Sequence, residues 1–166
     1  MKRNLLLTAF LTLFVFALSA FAQKATDFSG TWTLDTSKSS PAETMIDSQT
    51  IKVTQTAADI TVETSTKMKE GANMGGGAGG GGGRPGGGMG GPQKYGIGTP
   101  IKVTRDTPNG SIEISMSAKI DGNKATLSSA TPQGSRDQNW TMNADGTLTV
   151  QSQGRGGAVT RTYKKG

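Results

Sequence analysis

The sequence predicts an all-β chain: an antiparallel up-and-down meander of about eight to nine short strands that closes into a barrel. Three observations carry this. Apolar residues alternate with Thr, Lys and Ser at period two along most of the chain after Ala25. Turn dipeptides punctuate the alternating runs, and no segment after the first apolar stretch carries a helical period. Alternation rich in Thr, Val and Ile marks strands with one wet face. Closing such a meander removes the unpaired edges that would otherwise template aggregation.

Each run assigns an inward set. "DFSGTWTLD" places Phe28, Gly30, Trp32 and Leu34 on one face, and "TIKVTQT" places Ile51, Val53 and Gln55. "ADITVETST" gives Ile60 and Val62; "TPIKVTRD" gives Ile101, Val103 and Arg105. The long run "GSIEISMSAKI" gives Ile112, Ile114, Met116, Ala118 and Ile120, and "NKATLSSA" gives Ala125 and Leu127. "SRDQNWTMN" gives Arg136, Gln138, Trp140 and Met142, "TLTVQS" gives Leu148 and Val150, and "AVTRTYKK" gives Val159, Arg161 and Tyr163. Asn109-Gly110, Asp121-Gly122 and Asp145-Gly146 predict two-residue hairpin turns, because their residues tolerate positive φ. A short helix or turn is expected between Ser37 and Asp47.

The chain opens with "MKRNLLLTAFLTLFVFALSAFAQ": a basic start at Lys2 and Arg3, an apolar run from Leu5 to Leu18, and small residues Ala20 and Ala22 before a cleavage point. This reads as a signal peptide over 1–22, followed by one domain over 23–166. Export to the periplasm or to the outside of the cell is therefore expected, with no integral span after cleavage. Without Lys2 and Arg3 the net charge falls from +6 to +4, too mild to point to nucleic acid. The absence of Cys excludes disulfides; the absence of His and Cys together excludes Ser-His-Asp triads, Cys nucleophiles and ordinary zinc sites. The remaining carboxylates, Lys, Tyr and Ser form no catalytic motif, so the expectation is a protein that is not an enzyme and carries no cofactor or metal.

The two ends carry a resemblance. "DFSGTWTLDTSKS" resembles the opening of small exported bacterial lipocalin-like (calycin-type) proteins, which share a G-x-W first strand, here Gly30-Thr31-Trp32. "NWTMNADGTLTVQSQGRGGAVTRTYKK" is similar to their ending, with a D-G turn and a last strand carrying T-R-x-Y. The T-D-Y motif of many lipocalins is absent. The resemblance implies a lipocalin-like barrel closed by Gly30, Trp32 and Arg161, with the Arg over the indole face. An Arg so placed contributes roughly 0.5–2 kcal/mol.

If the apolar set faces inward, so do Gln55, Arg105, Arg136 and Gln138. A buried Arg is unfavourable unless paired. One reading is a barrel holding a small amphipathic or anionic hydrophobic ligand, lipid-like or aromatic. Arg105 and Arg136 would fix its head group, and Ile112, Ile114, Met116, Trp140 and Met142 would line its apolar part. The other reading pairs these Arg with Asp106 or Asp137, or leaves them at strand ends, in a barrel filled by its own side chains. The alternative function is then a structural or interaction protein of the cell envelope.

The stretch "EGANMGGGAGGGGGRPGGGMGGPQ", 70–93, holds fourteen of the 25 glycines. It lacks the Gly-Lys-Ser/Thr of a phosphate loop, has one Arg and no aromatic for RNA, and offers only thioethers of Met74 and Met89, beside Met68, to a metal. The expectation is a disordered insertion joining two strands, since glycine is costly to order and a longer loop adds closure entropy only logarithmically.

Overall fold

The computed structural model describes residues 26–41, 45–70, 91–107, 110–154 and 156–166. These contain ten strands: β1 (Gly30–Ser40), β2 (Ile46–Gln55), β3 (Asp59–Met68), β4 (Gln93–Ile97), β5 (Ile101–Thr107), β6 (Gly110–Asp121), β7 (Lys124–Thr131), β8 (Gly134–Met142), β9 (Leu148–Gly154) and β10 (Gly157–Lys165). They form one sheet in the order β4-β3-β2-β1-β10-β9-β8-β7-β6-β5, and β4 also pairs with β6. That second pairing closes a ring of nine strands and leaves β5 attached to β6 alone. First and last strands meet, as closure requires: Trp32 lies opposite Lys165 and Leu34 opposite Tyr163.

The sequence reading finds nine of these strands and misses β4, "QKYGI". It is five residues long, directly follows the glycine tract, and contains Gly96. So short a run carries little periodicity, and its partners lie far off in sequence. It pairs antiparallel with β3 (Ile60 opposite Tyr95) and parallel with β6 (Ile97 opposite Ala118). The meander is thus antiparallel everywhere except at the seam that closes it. The closeness of the turn after β4 explains Gly96, where an added Cβ would fall 2.0 Å from the Thr99 carbonyl oxygen.

Two turns differ from expectation. Asp121 and Lys124 pair directly, so the hairpin loop is Gly122-Asn123 rather than Asp121-Gly122. Gly122, at φ +56°, supplies the positive φ at the first loop position. Asp145-Gly146 sits in a five-residue connection between Met142 and Leu148, where Asp145 Oδ1 accepts from the Thr147 N–H (3.0 Å) and hydroxyl (2.6 Å). A local side-chain bond holds this longer turn, a competitor that dipeptide propensity does not register. Residue 109 lies outside the described residues, as do 1–25, with the leader, and 71–90, with most of the glycine tract. The described part of 37–47 is not helical: β1 runs on to Ser40 and β2 starts at Ile46.

One end of the barrel is plugged. The segment Thr26–Ser29 crosses it, tied by Thr26 N–H to the Gly122 carbonyl (3.2 Å), by Phe28 N–H to Gln55 Oε1 (2.9 Å), and by Gln55 Nε2 to the Thr26 carbonyl (3.0 Å). Gln55 therefore faces in as expected, and its amide replaces the strand pairing that the segment lacks. The Trp32 indole N–H donates to the Phe28 carbonyl at 3.0 Å, and Phe28 meets Trp140 edge-on at 6.1 Å between centroids. Ile60, Leu127 and Leu148 complete this fully buried floor.

Candidate ligand-binding interior

Following each strand inward from the plugged end to the opposite rim, the inner face changes character. Toward the plug it is apolar and buried: Trp32, Val53, Ile60, Tyr95, Ala118, Leu127, Trp140 and Leu148. Toward the rim the same faces carry Thr64, Thr66, Arg105, Ser129, Thr131, Arg136 and Ser152, which are half-buried or exposed. Their inward placement follows from pairing: Thr64 lies opposite Ile51, Arg105 opposite Ile112, Ser129 opposite both Met116 and Arg136, and Ser152 opposite Gln138. Solvent reaches inward-facing side chains at this end.

A hydrogen-bonded chain crosses the interior between these regions. Tyr163 Oη donates to Gln49 Oε1 at 2.6 Å, and Gln49 Nε2 donates to Thr66 Oγ1 at 2.8 Å. Gln49 is 3 % exposed and is the one buried polar side chain among the described residues. It is tolerated because both ends of its amide are satisfied. Arg161 lies two residues from Tyr163 on the same inner face, half-buried and opposite Val150. Here β1 leaves the ladder. Between the Asp35–Thr162 and Ser40–Thr160 pairs, four residues of β1 stand against Arg161 alone. On the short closing strand, the Tyr95 hydroxyl donates to Gln93 Oε1 at 2.7 Å, and burial pushes its pKa up to about 12.

The proposed site residues separate along this gradient. Ile114, Met116 and Trp140 are buried in the core; Ile112, Met142 and Arg105 are half-buried; Arg136 is exposed. Arg136 and Met142 sit at opposite ends of β8, six residues or roughly 20 Å apart at strand rise. They belong to the rim and the plugged end respectively and do not share one subsite. Gly30 begins β1 at φ +139°, and Trp32 is fully buried. The cation over the Trp32 ring is Lys165, with Nζ 5.5 Å from the centroid, directly opposite in register; Arg161 stands four residues earlier on the same strand. The sequence reading missed Gln49 and the polar role of Tyr163. The signal available was a Gln at an inward position of β2 and a Tyr hydroxyl needing a buried partner.

A shallow open depression of about 530 Å³ on β1–β3 is lined by Thr31, Thr50, Lys52, Glu63, Thr64 and Ser65. Its lining residues are all Thr, Ser, Lys or Glu, and it is wide to solvent. Among the described residues no group of acidic side chains is arranged to hold a metal ion, and no helix is long and apolar enough to cross a membrane.

Solved structures with this arrangement exist. The REP1-NXSQ fatty acid transporter superposes with a TM-score of 0.51 at 16% identity, covering 83% of this chain and 95% of that one. Human cRBP IV matches at 0.52 and 13% identity (85% and 99% covered), and the wild-type fluorescent protein UnaG at 0.51 and 12% (84% and 97% covered). The fold is a calycin-type, lipocalin-like barrel. At these identities the likeness concerns the fold. No family model and no curated protein matches the chain.

Proposed function

We propose that this barrel binds a small amphipathic molecule with an anionic head group, acting as a carrier or binding protein and not as an enzyme. The observation that carries the reading is the gradient of the interior: an apolar floor beneath a more polar, solvent-reached rim end with Arg side chains at inward positions. An elongated apolar chain is favoured against Ile114 and Met116, at roughly 25 cal/mol per Å² of apolar surface removed from water. Its carboxylate is favoured by the positive charge of the Arg side chains at inward positions toward the rim, Arg161, Arg105 and Arg136. The barrel of a fatty acid transporter with the same fold supports the ligand class. The leader-like start, "MKRNLLLTAF", places the binding event outside the cytoplasm in this reading.

The test is displacement of a fluorescent fatty acid by long-chain carboxylates and by their methyl esters. The carboxylate is expected to bind better than the ester, and Arg161→Gln is expected to abolish most of that preference while leaving ester affinity nearly unchanged. No saturable binding of either ligand by the folded protein would instead support a filled barrel with a role on its outer surface.

A further inference from the structure

β5 lies outside the closed ring and, among the described strands, is the one that pairs on a single side. Its inner neighbour is β6, from Ile101 opposite Met116 to Thr107 opposite Gly110, while β4 takes the lower part of the same β6 edge at Ser117 and Ala118. Among the described residues, no strand pairs with the outer edge of β5. That edge presents a row of backbone N–H and C=O groups, a template for another strand.

The sequence along the edge is Ile101-Lys102-Val103-Thr104-Arg105-Asp106-Thr107. We propose that two copies of this chain pair through β5, antiparallel about a two-fold axis at Thr104. Directly opposed residues on antiparallel strands share a face, so a two-fold pairing must be centred on a residue or keep the same parity. Three central registers satisfy this. Centring on Thr104 opposes Ile101 to Thr107, Lys102 to Asp106 and Val103 to Arg105, using the whole strand. It creates two opposite-charge pairs on the outer face, both by symmetry. Centring on Arg105 sets Arg105 against its own copy, which is repulsive. Centring on Val103 opposes Lys102 to Thr104 and leaves Asp106 outside the ladder. The register of full length is therefore also the one with matched charge.

The charges that would be repelled in other registers explain how an exposed edge remains specific. Lys102 now contacts Glu113 at 2.9 Å, but both groups are well exposed (69% and 57%), so the pair is readily extended to a partner's carboxylate. Edge pairing of this length gives a weak, reversible, salt-sensitive dimer rather than an obligate one. The inference is independent of any ligand in the barrel.

The experiment is sedimentation equilibrium of the purified protein across a wide concentration range, with hydrogen exchange of the β5 amides at the same concentrations. The expected result is a monomer–dimer equilibrium with β5 amides protected on the dimer side. Lys102→Glu is expected to weaken dimerisation about tenfold, since two attractive pairs become repulsive. The double reversal Lys102→Asp with Asp106→Lys is expected to restore it. These exposed positions leave the folded monomer intact, which circular dichroism checks. A monomer at every concentration, protected β5 amides in a monomer (the edge covered by the chain's own segment), or a dimer indifferent to the charge reversals would each overturn the proposal.

Discussion

The plugged end and the rim end of this barrel use the same strands and the same alternation, yet they solve opposite problems. At the plug, inward positions are apolar apart from Gln55, and the polar groups are satisfied locally, as when the Gln55 amide holds Phe28 and Thr26 and the Trp32 indole N–H reaches the Phe28 carbonyl. At the rim, Thr, Ser, Arg and Gln take inward positions beside Ile46, Met68 and Ile112, and cross-strand bonds such as Gln49 to Thr66 hold some of them. The first arrangement maximises burial and leaves nothing to bind. The second forgoes burial and keeps polar groups within reach of solvent. Stability and recognition are thus separated along the barrel axis, and substitutions at the two ends should have different signatures.

The sharpest break of that contrast is Trp32→Ala. The ring is fully buried, so truncation is expected to destabilise the fold by roughly 3–5 kcal/mol, read from urea unfolding, without changing the preference for acid over ester in surviving protein. The next effect lies on the closing strand. Tyr95 is 3 % exposed, and its pKa is raised from 10.0 to about 12 by burial. The unfolded chain therefore releases this proton first, so stability is intact below pH 10 and falls as pH rises from 10 toward 12. The loss is expected to approach roughly 2–3 kcal/mol by pH 12, and Tyr95→Phe should remove it. An unchanged alkaline slope in that variant would mean that the seam opens before the phenol ionises.

Much of this was legible in the sequence because period-two alternation decides which face each residue takes. Nine runs suffice to give nine strands and a correct inward set, including Arg105, Arg136, Arg161 and Tyr163. What alternation does not encode is height. Arg136 and Met142 share a face on β8 but stand at opposite ends of the barrel, and only strand pairing reveals which end belongs with which. The resemblance to lipocalin-like proteins implies Arg161 over Trp32, whereas the register sets Lys165 opposite the indole. β4 was invisible because its warrant is non-local: five residues pinned between β3 and β6 with too little sequence to show a period.

A smaller effect tests the rim. Tyr163→Phe removes the 2.6 Å bond to Gln49 and leaves a buried amide oxygen without its donor. The expected cost is about 1–2 kcal/mol, below that of Trp32→Ala. Gln49→Leu combined with Tyr163→Phe should recover part of it, because removing both partners is cheaper than orphaning one. If the double variant is the less stable, the hydrogen-bonded chain is coupled to more of the rim than these two side chains.

The smallest effect concerns the bulge where β1 leaves β10. Asp35 Oδ1 accepts from the Ser37 hydroxyl (2.6 Å) and N–H (3.2 Å), Lys164 Nζ lies 2.9 Å from Oδ2, and the Ser39 hydroxyl donates to the Asp35 carbonyl (3.2 Å). The Ser37 hydroxyl first, and Lys164 after it, lower the Asp35 pKa from 3.8 to about 2. A depressed folded pKa contributes stability above the unfolded value. The contribution is complete above pH 4, declines as pH falls from 3.8 toward 2, and is gone below that. Its partner Lys164 is 64% exposed, and screening of that ammonium keeps the effect slight. Unfolding midpoints taken through this window should flatten in Asp35→Asn. Because the hydroxyl outweighs the ammonium, Ser37→Ala should raise the Asp35 pKa, followed by NMR of its carboxyl, more than Lys164→Met does. The reverse order would make the bulge a product of the ion pair to β10 and not of the turn's own hydrogen bonds.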